Sequence, residues 1–215
     1  MKLKKREDVV FDEMDILKEV GTIAAAHGSI ALSTILKKRI NLEVPETELI
    51  SGKTILEKAD YDRIGIAIYS KIISGFDGKV IFLLDEKNAF KLNSLAGKYL
   101  NDERSSIMTE MGMSVIKEVG SIVSSAYVNA MGMMFRKVIL LGVPTFISGT
   151  MAEILSVTVI SPMQENDEIL VIKATFEEPE DKMSGSFYLV LTREAAGYIK
   201  QACKDLLLEL KQKDK

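Results

Sequence analysis

The sequence predicts an α/β protein made of two pseudo-symmetric halves, an antiparallel β-sheet covered by two long helices and several shorter ones. Three observations predict it. A segment of helical character recurs at a fixed spacing, two stretches keep helical periodicity for more than twenty residues, and two pairs of alternating β-branched runs are each joined by turn residues.

The recurrence comes first because it organises the rest. Asp15-Ile-Leu-Lys-Glu19-Val-Gly-Thr22-Ile returns 99 residues later as Ser114-Val-Ile-Lys-Glu118-Val-Gly-Ser121-Ile. Twenty-two residues separate Thr22 from Pro45, and twenty-two separate Ser121 from Pro144. Ile50-Ser51-Gly52 returns as Ile147-Ser148-Gly149, and the run Gly78–Asp85 aligns with Gly185–Thr192. The expected organisation is a single domain over residues 1–215 built from two repeats, about 12–100 and 106–213.

Each half then reads in one order. A long helix is expected over Asp12–Lys37 and again over Ser106–Met134, both rich in Ala, Met, Leu and Ile, which favour helix. An extended segment ending at proline and a short helix follow. Ile64–Ile72 and Lys79–Leu84 alternate around SGFDG as a hairpin, and Glu168–Phe176 and Ser186–Leu191 repeat it around EEPEDKMSG. Asp85 and Thr192 are the expected N-caps of the closing helices. Hairpins beside helices imply an antiparallel sheet with helices on one side.

Composition narrows the function. Of 215 residues, 47% are hydrophobic and 27% charged, enough apolar material for a core. Twenty-eight basic against 31 acidic residues leave a net charge of −3, so no field favours a polyanion and no nucleic-acid partner is expected. The Lys-rich ends, Met1–Lys5 and Lys211–Lys215, read as solvated tails. Cys203 is the single cysteine, which excludes an internal disulfide and a cysteine-rich metal site; a buried inert thiol is expected. MKLKKREDVVFDEMD lacks the apolar stretch of a secretory signal, and no run suggests a spanning helix, so a cytoplasmic protein without a membrane partner is expected.

The helix faces carry the candidate site. At 100° per residue, Leu17, Val20, Ala24, Gly28, Ala31 and Ile35 share the core side of the first helix, and Asp15, Glu19, Thr22, Ala26 and Ser29 the opposite side. In the second, Ile116, Val119, Val123, Tyr127 and Ala130 face the core, and Ser114, Glu118, Ser121 and Ser125 face away. Each helix thus offers one carboxylate among short side chains, a stripe that a partner could approach closely. A solvated face would explain one such stripe, but the same residues at the same spacing in both halves favour function.

These residues resemble the signature of the CheC/CheX/FliY family of chemotaxis CheY-phosphate phosphatases: Asp or Ser, three residues, Glu, two residues, Asn, then 22 residues and Pro. The sequence matches at Asp15, Glu19 and Pro45, and again at Ser114, Glu118 and Pro144. The context LKEVGTIAAAHGSIALSTIL is similar to the family's long helix, and two signatures per chain is the CheC-like arrangement. The resemblance implies binding of a phosphorylated CheY-like receiver, with the aspartyl phosphate and Mg²⁺ supplied by that receiver and no cofactor or metal on the chain itself. It also implies that the Glu pairs with a receiver lysine, that the Asn orients the attacking water, and that the site is Glu19, Thr22, Glu118 and Ser121, with Asp15, Ser114, Pro45 and Pro144 docking the receiver.

One departure matters. Thr22 and Ser121 stand where the family has Asn. A hydroxyl reaches about one bond less far and lacks the amide's paired donor and acceptor, and a misplacement of about 1 Å can cost on the order of 100-fold. The expectation is therefore docking with turnover weak or lost. Two alternatives stand beside it: an active phosphatase despite the hydroxyls, and a non-enzymatic adaptor for a CheD-like receptor deamidase. His27, the only histidine, is expected to be structural, and the methionines around the second helix (Met108, Met111, Met113, Met131, Met133, Met134) to serve packing first and adaptable docking second.

Overall fold

The computed structural model describes residues 13–43, 45–51, 53–54, 57, 62–97, 109–160 and 168–213. The long helices are α1 (Glu13–Leu36) and α3 (Glu110–Phe135). The hairpins are β3 (Ile64–Ser74) with β4 (Gly78–Asp85), and β7 (Glu168–Glu178) with β8 (Met183–Thr192). The segments around the prolines are β1 (Asn41–Leu42) and β2 (Glu46–Ser51), then β5 (Leu140–Leu141) and β6 (Thr145–Thr150). Three further helices are α2 (Glu86–Gly97), α4 (Met151–Leu155), which continues as a π-helical turn over Ser156–Ile160, and α5 (Arg193–Lys213). The short helix expected in the first half and the first Lys-rich tail fall wholly or largely outside the described residues, as does the side chain of Cys203. The second long helix starts at Glu110 and not at Ser106, because Thr109 is extended and caps it by accepting from the Gly112 N–H.

All strands join one antiparallel sheet in the order β1-β7-β8-β4-β3-β5, with β2 also on β7 and β6 also on β3. The edge strands of each half therefore pair with the hairpin of the other half, while β4 and β8 meet in the middle. Leu42 lies opposite Phe176 and Leu141 opposite Ile72; beyond that pair the β5 ladder shifts, Leu140 pairing with Ser74 past a bulge at Ile73, where the β1 ladder runs on regularly to Asn41 opposite Glu177.

The larger core lies between the sheet and the helices. Leu17, Val20 and Ala24 of α1, and Ile116, Val119, Val123 and Tyr127 of α3, are buried there as expected. Under them Phe82, Phe176 and Phe187 cluster with ring centroids 4.9–5.6 Å apart. Each such fully buried side chain contributes roughly 1.5–3 kcal/mol relative to exposure. A smaller core on the other face gathers Ala67, Ile81 and Val190 beneath Ile154 of α4, so the helices are not confined to one side of the sheet as expected.

Two glycines set the height of the long helices. A Cβ on Gly21 would stand 2.5 Å from Ile172 Cγ2, and one on Gly120 would stand 2.7 Å from Ile68 Cβ. Each long helix is thereby seated on a stiff β-branched side chain of the opposite half's hairpin. The same seating explains a composition that misleads when read alone: Asp15–Leu36 is long and apolar enough to cross a membrane, contrary to the expectation above, and 44% of its most apolar window is buried in the fold.

Candidate functional site

On the side of α1 away from the sheet, Asp15 and Glu19 are exposed and Thr22 is half-buried. On α3, Ser114 and Glu118 are exposed and Ser121 is half-buried. Both stripes thus present a carboxylate and, three residues on, a hydroxyl. Gly21 and Gly120, pressed onto the sheet from the other side of each helix, fix how far these groups stand out. The repeated Val-Gly in the sequence carries that signal, but composition and periodicity alone gave the glycines no task.

The hydroxyls differ. Thr22 Oγ1 donates to the Lys18 carbonyl oxygen at 2.8 Å, one helical turn back, which engages its only proton. Ser121 has no hydrogen-bond partner among the described residues. Of the two residues at the head of the stripes, Asp15 is a carboxylate and Ser114 donates to the Glu110 carbonyl oxygen at 2.8 Å.

Three expectations need correction. Ser29 is not on the exposed stripe: it is 6% exposed, and its hydroxyl is buried without a partner. Fourteen residues from Asp15 the helix has turned about 40° away from a strict repeat, toward the packed side. Pro45 is buried and Pro144 half-buried, each between two short strands that pair with one neighbour. A buried Pro45 shapes the edge of the sheet and offers a partner little surface. The methionines divide: Met131 is in the core, whereas Met133 and Met111 are 65% and 55% exposed. His27 is half-buried, as a structural histidine would be.

None of the grooves formed by the described residues is lined by a stripe residue. The grooves nearest in character to a ligand site, about 250 and 380 Å³, are bordered by α4, β7 and β8 on the opposite face of the sheet and include no stripe residue. Among the described residues, no group of three or more His, Cys, Asp or Glu side chains could hold a metal. Small substrates are held in concave sites; an exposed helix face with one carboxylate and short neighbours suits the surface of another macromolecule.

No protein-family model matches the chain. Over 122 residues it is 27% identical to the CheY-P phosphatase CheC of Bacillus subtilis (strain 168), which covers 56% of this chain and 58% of that protein. The chain therefore spans little more than half the length of the curated relative it matches. Among solved structures, FliY of Thermotoga maritima superposes with a TM-score of 0.73 and 16% identity, over 92% of this chain and 99% of that one. The middle domain of FliM from Vibrio alginolyticus gives 0.59 and 14%, over 87% and 99%. A chemotaxis protein CheX from Desulfovibrio desulfuricans gives 0.53 and 13%, over 80% and 97%. At such identities these structures establish a shared fold.

Proposed function

We propose that this chain, similar in fold to FliY and over part of its sequence to CheC, docks a phosphorylated CheY-type receiver through the stripes of α1 and α3, with aspartyl-phosphate hydrolysis weak or lost. The observation that carries the reading is the placing of Glu19 with Thr22 and of Glu118 with Ser121 on the outer sides of the two long helices. In this reading each Glu is the anion that fixes the receiver's orientation by pairing with one of its lysines. Water attacks phosphorus in line, the bond to the aspartyl oxygen breaks, and the receiver's own Mg²⁺ carries the charge of the departing carboxylate. The chain's part is to hold that water, which needs no nucleophile and no metal of its own. Thr22 and Ser121 are short for the task, and Thr22 already donates its proton to Lys18. The reading includes a cytoplasmic setting and a single domain of two repeats.

The test is the decay of phosphorylated CheY from the same organism, with and without this protein, together with binding to the phosphorylated and unphosphorylated receiver. Unchanged or slightly faster decay is expected, with phosphorylation-dependent binding that Glu19→Ala plus Glu118→Ala abolishes. Binding that ignores both glutamates and phosphorylation would sink the reading and point to an adaptor.

A further inference from the structure

The two ends of the sheet are built from corresponding residues but carry opposite chemistry. The β5 end exposes Val143 (83%), Val138 (73%), Ile73 (65%) and Leu140 (50%). By the 99-residue offset, Val138, Leu140 and Gly142 correspond to Arg39, Asn41 and Glu43 at the β1 end, whereas Val143 corresponds to Val44; Ile73 is bulged out between Ile72 and Ser74, and Ser74 is the register counterpart of Glu177. Three positions that are polar or charged in one half are thus apolar or bare in the other. Isolated exposed aliphatic residues need no explanation, but a cluster at one end of a sheet marks an interaction surface.

Charge says what fits it. Lys71, Arg136 and Lys137 are exposed around the β5 cluster, with Asp77 on the turn beyond. At the opposite end Glu43, Glu46, Glu48 and Glu177 are exposed; of the cations there, Lys37 and Arg39 are exposed, Lys38 pairs with Glu180 and Asp181, and Lys173 lies 3.8 Å from Glu46. Two β5 ends brought face to face would oppose like cations. A β5 end against a β1 end would set cations against carboxylates. Strand direction agrees. Six antiparallel strands run from β1 to β5, so the two ends point in opposite senses, and a second copy in the same orientation brings its β1 antiparallel to β5. Pro45 and Pro144 follow strands of only two residues, so the ladder at such a junction is short and side chains carry the contact.

We propose that the β5 end of one chain docks on the β1 end of a second copy, head to tail. A contact of this kind does not close on itself at two copies, and its ionic share weakens with salt.

The experiment is sedimentation velocity of the full chain over a concentration series at low and moderate salt. Association that continues past the dimer and fades with salt is expected. Val138→Arg with Leu140→Asn installs the residues that the β1 end already tolerates and should leave a monomer. Glu43→Lys with Glu177→Lys should also be monomeric alone. Mixed in equal amounts, the two variants each keep one intact end and should form a dimer that does not grow, a result that also shows both are folded. A wild-type chain that stays monomeric throughout would overturn the proposal. So would self-association of the Glu43→Lys, Glu177→Lys variant, which would mean that β5 ends meet each other.

Discussion

The stripes of α1 and α3 hold the same carboxylate at the same place, yet their hydroxyls are in different states. Thr22 is tied to its own helix through the Lys18 carbonyl, and Ser121 is not tied to any described residue. Asp15 adds a second negative charge to the first stripe where Ser114 adds none to the second. The helices are seated alike, through Gly21 on Ile172 and Gly120 on Ile68, so the difference belongs to the side chains and not to the scaffold. One scaffold can therefore carry two sites of unequal chemistry, and substitutions at matching positions can measure the inequality.

The largest effect is expected from giving each stripe the longer amide. Thr22→Asn and Ser121→Asn add reach and a paired donor and acceptor, and recovery of about 1 Å in the placement of water corresponds to roughly 100-fold in rate. Phosphorylated-receiver decay with each single variant and the double reads this directly. If the scaffold is as symmetric as its glycines suggest, both variants gain. Gain in one alone would show that the halves approach the receiver differently, and no gain in either would mean that placement of water is not what limits turnover.

The glycines allow the next test. Alanine favours helix over glycine by about 1 kcal/mol, so Gly→Ala should stabilise wherever space permits. Here the new methyl meets a β-branched side chain at 2.5–2.7 Å, and overpacking costs roughly 1–3 kcal/mol, which wins. Gly120→Ala should lose more than Gly21→Ala. Ile68 presents Cβ and Cγ1 both at 2.7 Å, whereas Ile172 presents one methyl and keeps its next atoms at 3.7–3.8 Å. Urea denaturation of both variants measures the order; equal or improved stability would show that the helices can lift off the sheet freely.

Much of this was legible in the residues. The repeated Glu-Val-Gly segment, alternating β-branched runs and turn residues placed both long helices, both hairpins and the caps at Asp85 and Thr192 within a few residues of where they lie. Element identity is local, set by periodicity and turn chemistry. What could not be read was the exchange of edge strands between halves, because β2 pairs with β7 across more than a hundred residues and no local pattern specifies that partner. The site was legible in its carboxylates and hydroxyls, since their spacing fixes a shared helix side. The engagement of Thr22 with Lys18 and the burial of Ser29 and Pro45 depend on rotamer and packing, which spacing does not contain.

The smallest effect concerns the helix caps, where the halves again differ in one ionisable group. Asp85 accepts from the Asn88 N–H at 2.7 Å at the start of α2, and Thr192 accepts from the Ala195 N–H at 3.2 Å at the start of α5. Partial burial pushes the Asp85 carboxyl up, but the Arg63 guanidinium and the Asn88 N–H together outweigh it, and the group lies below the ordinary carboxylate range. A carboxyl lowered by folding stabilises the folded state above its unfolded pKa of about 3.9, and that stability is lost as pH falls through the folded value. The cap of α2 should therefore weaken below about pH 4, while the neutral cap of α5 should not. Asp85→Thr gives the first half the second half's cap: the N–H keeps an acceptor, and the titrating charge is gone. Thermal denaturation between pH 2.5 and 7 should show a shallower acid limb in this variant, with a small loss at neutral pH from the vacated Arg63 pairing. An unchanged acid limb would place the acid sensitivity in other carboxylates and leave the two caps equivalent.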